Sequence, residues 1–302
     1  MAFQQESLSH GQQEQHRDRV QLSLSLSTSS PTVSTSDPYP AEPMKLIASV
    51  SQIASPYPDQ AVTILTKYSC LDMTPGADAF RKLMMESPRV VPSATECPAP
   101  LLSLRPSRWI TYHRFSGDPD LLRREEKECF RFITIPPVGQ GHAEVQLDLS
   151  PERLVGNIRD KTRVPHPEDE DMPFEDKLLH LLRPGDTYEI RPRSLRICWW
   201  TFGSMDGEDG LRRRKIARWT LPDDLPLVRQ QGEDETDEVS HRLRDFVDLH
   251  DVNCLTSRPF YDGEPIPDIG KMRSEGWVFG EPKAGLEMSC DQEGYARFTI
   301  TQ

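Results

Sequence analysis

The sequence has no CxxC pair, no zinc-type spacing of cysteine and histidine, and no N-x-S/T sequon. Its six cysteines, Cys70, Cys97, Cys129, Cys198, Cys254 and Cys290, are scattered. That pattern excludes a dense disulfide framework and reads as reduced thiols of an intracellular protein. No apolar run approaches the roughly 18 residues that a membrane-spanning helix requires. The opening MAFQQESLSHGQQEQHRDRV lacks the apolar stretch of a secretory signal. Catalytic signatures are missing too: there is no G-x-S-x-G, S-x-x-K, H-E-x-x-H, P-loop or G-x-G-x-x-G. Positive charge is in short supply, with 36 Lys and Arg against 48 Asp and Glu and a net charge of −12. Such a chain repels phosphate backbones, so neither nucleic acid nor an anionic membrane is expected as a partner.

Apolar residues are scarce as well, at 36 %, where a chain that is globular throughout carries about 45–50 % with glycine. The 302 residues include 27 prolines. One real core with long irregular stretches follows. Residues 1–43, rich in Gln, Ser, Thr and Pro, read as a disordered tail. The LSLSLS alternation within them offers a second reading, a strand added to a sheet edge.

From Met44 the pattern changes. MKLIASVSQIA alternates, with Leu46, Ala48, Val50 and then Gln52 on one side, and AVTILTKY is β-branched. GADAFRKLMMESP predicts a short helix capped by Asp78, with Phe80, Leu83 and Met84 buried. ECFRFITIP and HAEVQLDLS predict two strands around the turn PPVGQG. An acidic insertion, with its carboxylate run at residues 168–176, leads into a further short helix. Its carboxylates lack the calcium-loop spacing and read as solvated. After the acidic linker QQGEDETDE comes an amphipathic helix over 237–251, and LEMSCDQEGYARFTI predicts a hairpin pairing Leu286 and Met288 with Phe298 and Ile300.

The stretch most informative about fold is Leu182-x-Pro184-Gly185-x-x-Tyr188, immediately before TYEIRP. Its spacing matches the tyrosine corner of sandwich domains, in which a tyrosine at a strand start pins the crossover between sheets. RICWWTF then predicts a strand with Ile197 and Trp199 on one face and Cys198, Trp200 and Phe202 on the other. Both faces are bulky, and burying such a side chain contributes about 2–3 kcal/mol relative to exposure. Something must cover the outer face: the C-terminal segment of the same chain, or a partner protein.

These elements give a mainly β fold: an immunoglobulin-like two-sheet sandwich over 44–230 with short helical insertions, and a C-terminal α/β extension, 231–302, packed on it. The strand KLIASVS, then AVTILTKYSCLD, then the Pro-Gly-x-x-Tyr stretch running into a Trp-containing strand together resemble a group of uncharacterised intracellular β-sandwich proteins of filamentous fungi. The resemblance spans about residues 44–225 and implies a fold. It implies no activity, so no catalytic residue carries over.

One metal arrangement is conceivable. His142-x-Glu144 starts a strand, so both side chains leave the same face; His180, His241 or His250 would complete a two-histidine, one-carboxylate iron site. His166-x-Glu168 is a poorer version. Arg212-Arg213-Arg214-Lys215 reads as a solvated loop diluted by Asp206, Glu208 and Asp209, with nuclear import or phosphate binding as its sharper reading. The expected function is a non-catalytic protein-interaction or scaffold module of the cytoplasm, with the nucleus as a second location. It needs no cofactor and docks another protein through residues 196–202, on Trp200, Phe202 and Cys198, with Leu182, Pro184, Gly185, Tyr188 and Trp199 structural. The alternative is a non-haem iron oxygenase using His142 and Glu144.

Overall fold

A computed structural model describes residues 19–37, 40–67, 69–72, 83–86, 101–104, 120–122, 131–149, 158–160, 184–192, 194–221 and 269–302. In chain order the strands are β1 (Val20–Thr28), β2 (Thr32–Ser34), β3 (Met44–Ala54), β4 (Val62–Leu65), β5 (Leu83–Glu86), β6 (Leu101–Leu104), β7 (Phe132–Ile135) and β8 (Ala143–Leu149). They continue as β9 (Ile158–Asp160), β10 (Thr187–Pro192), β11 (Trp200–Phe202), β12 (Ile216–Thr220), β13 (Val278–Gly280), β14 (Leu286–Ser289) and β15 (Ala296–Thr301); a short helix, α1 (Ile269–Ser274), precedes β13. The fold is mainly β, in four sheets, none of which closes into a barrel among the described residues.

The first sheet runs β14-β1-β3-β8 and the second β2-β15-β10-β5-β6-β9; the third is β11-β4-β7 and the fourth pairs β12 with β13. Period-two alternation explains the first sheet. Val20, Leu22, Leu24 and Leu26 of β1, with Leu46, Ala48 and Val50 of β3, bury one face, while the intervening residues are mostly polar. Facing groups come from the other sheets: Tyr188, Ile190, Phe298 and Ile300 of the second, Val62, Ile64, Trp200 and Phe202 of the third. Gln52 continues the inward face of β3, as its alternation predicts. Its amide donates to the carbonyls of Gln60 (3.0 Å), Ile135 (3.3 Å) and Pro136 (2.8 Å).

A second core lies on the other side of the third sheet. It joins Leu65, Phe132, Cys198 and Trp199 to Leu121, Met205, Leu211, Ile216 and Val278. All four residues of β4 are therefore buried. Its Thr63 is accommodated because the hydroxyl bonds Gly203 O (2.7 Å) and Thr134 Oγ1 (3.1 Å).

Several expectations change. Residues 20–34 are no disordered tail, and β1 is no edge either, since it lies between β14 and β3. The serines that made the segment look solvated occupy the outer face, and four aliphatic side chains occupy the inner one. Leu83–Glu86 is strand, not helix: it pairs with both β10 and β6, and two ladders outweigh the helix propensity of Leu, Met and Glu. The predicted hairpin over 286–300 is absent. β14 pairs in parallel with β1, and β15 pairs with β10, so the turn between them crosses from sheet to sheet. Met288, Phe298 and Ile300 still share a core, across the layers rather than along a ladder. Residue 230 is thus no boundary between sheets, because β14 and β15 are integral strands of the first two. The predicted helix over 237–251 lies outside the described residues.

Candidate functional site

The Pro184-Gly185 turn and Tyr188 stand where the sequence places them, before and within β10. Gly185 adopts a φ of +88°, which favours glycine. Its N–H donates to Ile300 O (2.8 Å), and Ile300 N–H donates to Asp186 O (2.9 Å), so the turn is tied to β15. Tyr188 is buried and stacks on Phe298, with ring centroids 5.8 Å apart and planes 23° apart. Leu182 lies outside the described residues.

The tryptophan segment differs from the simple alternation. The chain bends at Cys198, and the strand begins only at Trp200. The bend moves Cys198 to the side of Trp199, in the second core, while Ile197 joins Trp200 and Phe202 in the first. Each indole N–H finds a carbonyl: Trp199 Nε1 donates to Ala217 O (3.0 Å) and Trp200 Nε1 to Pro282 O (3.0 Å). Glu281 N–H also donates to Trp200 O (2.7 Å). Gly280 lets Trp199 in: a Cβ there would lie 2.6 Å from the Trp199 Nε1 atom. Trp200, Phe202 and Cys198 are therefore interior. The proposed docking face of residues 196–202 is covered by the chain's own C-terminal strands, and a partner would have to open both cores to reach it.

His142 and Glu144 do leave one face of the start of β8, but they engage each other. Nε2 lies 3.1 Å from Oε1, and both side chains are about half exposed, at 51 % and 47 %. Among the described residues no group of three His, Cys, Asp or Glu side chains could hold a metal ion. His166, Glu168, His180, His241 and His250 lie outside the described residues, as does the acidic run 168–176.

Three cysteines, Cys70, Cys198 and Cys290, lie among the described residues. Cys70 and Cys198 are buried. Cys290 is partly buried, and its thiol is pushed up to about 11, first by desolvation and then by the negative charge of Asp291. A thiol held protonated is a poor nucleophile.

β8 is the outer strand of the first sheet and, among the described residues, forms a ladder with β3 alone. Its seven residues run without proline, with Glu144, Gln146 and Asp148 exposed and Leu147 and Leu149 buried. The register sets Asp148 opposite Lys45 and Glu144 opposite Ser49 on β3. Sequence alternation locates this strand, but only the sheet order shows that it is terminal. No family model, curated protein or solved structure matches the chain.

Proposed function

We propose that the chain is a non-catalytic protein-interaction module that accepts an extended segment of a partner along β8. The observation that carries this reading is the terminal position of β8 in the first sheet among the described residues. A strand in that position keeps outward-facing N–H and C=O groups available for another backbone. The side chains set the preference. An incoming strand would alternate, with basic residues beside Glu144 and Asp148 and apolar ones beside Val145 and Leu147. The finer architecture proposed with it is an immunoglobulin-like two-sheet sandwich, supported by the Pro184-Gly185 turn leading into the buried Tyr188. The cytoplasm is the proposed location, supported by scattered thiols that form no dense framework.

The test uses extended peptides that alternate lysine with valine, titrated onto the full chain by fluorescence anisotropy. Binding should disappear when alternate peptide nitrogens are methylated, because those residues then cannot donate to the edge. Equal binding of the methylated peptide, or none of the parent, rejects the reading.

A further inference from the structure

The basic run Arg212–Lys215 stands out in so acidic a chain, and it is built rather than loose. Leu211 is buried in the second core and anchors a 3-10 turn, Leu211–Arg213. Leu211 N–H donates to Ser204 O (2.9 Å), Arg212 N–H to Met205 O (3.1 Å), Arg213 N–H to Gly210 O (3.1 Å) and Arg214 N–H to Leu211 O (3.0 Å). Lys215 O accepts from Val278 N–H (2.9 Å), which fixes the far end to β13. The cations thus project from a backbone fixed at every residue.

Their neighbours are uneven. Arg212 is engaged by Asp206, with Nε 3.3 Å from Oδ1. Arg213 and Arg214 are exposed and form no ion pair among the described residues. Lys215 Nζ lies 5.1 Å from the centroid of the Trp277 ring, and the Trp277 indole N–H is buried with no acceptor among the described residues. Two exposed arginines without an ion pair among the described residues therefore precede in sequence a lysine whose ammonium lies over an aromatic ring.

We propose that this turn is a docking site for an acidic segment of another protein. Guanidinium groups form two parallel hydrogen bonds to a carboxylate, and a fixed backbone leaves only side chains to order on binding. Three adjacent cations match a short run of carboxylates. Nucleic acid is the poorer fit: its affinity comes from many phosphate contacts, and the net charge of −12 opposes it. The site shares no residue with β8, so its failure would leave the edge reading standing.

The experiment titrates a labelled oligo-glutamate peptide onto the full chain by fluorescence anisotropy at low and moderate salt. Saturable, salt-sensitive binding is expected, weakened about tenfold or more when Arg213→Ala and Arg214→Ala are combined. Lys283→Ala, a cation elsewhere, should leave it unchanged. Both arginines are exposed, so melting should be unaffected, and melting curves check that the variants are folded. The proposal is overturned by absence of binding, by equal loss in Lys283→Ala, or by tighter binding of a single-stranded oligonucleotide than of the peptide.

Discussion

Trp199 and Trp200 are adjacent in the chain and belong to different cores. The Trp199 indole bonds Ala217 O behind the third sheet, and the Trp200 indole bonds Pro282 O on the opposite side. One peptide unit therefore couples the two apolar clusters, and the segment closing over both comes from residues 278–282.

The roles of the two indoles separate by substitution. Trp200→Ala should lower unfolding stability by about 3–5 kcal/mol, as large-to-small changes in a core do. Gly280→Ala should cost about 1–3 kcal/mol by pushing against Trp199. Urea midpoints measure both. Wild-type stability in Trp200→Ala, with loss of a bound partner instead, would restore the docking face that burial argues against.

β1 should be indispensable. A chain beginning at Ser29 leaves β3 and β14 with no strand between them and removes four buried aliphatic side chains from the first core. Circular dichroism should show loss of the cooperative melt. A sharp transition near the full-length temperature would mean that β1 is dispensable.

Cys290 makes stability pH-dependent on the alkaline side. Desolvation, and then the charge of Asp291, push its thiol up from the ordinary value of 9.0 to about 11 in the fold. The fold favours the protonated form, so the contribution is complete below the ordinary value. It is lost as pH rises through that window. Cys290→Ser, which does not ionise there, should flatten the decline in denaturation midpoints. An unchanged slope in the variant would assign the decline to other groups.

Strand alternation was readable wherever one face is wet and the other dry: Met44–Ala54, Ala143–Leu149, and Tyr188 with Ile190. The need to cover Trp200 was readable from the cost of a bare indole, although the sequence left open whether this chain or a partner supplies the roof. Three features were hidden for physical reasons. Serine composition masked β1, because disorder is judged from average polarity and β1 concentrates its apolar groups on alternate positions. Good helix formers masked β5, which is held by ladders to residues far along the chain. A turn followed by a second alternating run signals a hairpin equally well when it passes between sheets, as at Asp291–Tyr295. The candidate site shows the same division: Glu144 and Arg213 could be named from the chain, but an open edge and an unpaired cation are properties of the assembled neighbours.

The parallel pairing of β1 with β14 has a bearing on biosynthesis. Ser289 Oγ donates to Leu22 O, a contact spanning 267 residues. During translation β1 would wait about ten seconds to a minute for its neighbour to leave the ribosome. In that interval β3 can already zip onto it, leaving one flank bare to other nascent chains. The β1–β14 closure is thus late: it waits until the whole chain between the two strands has been made.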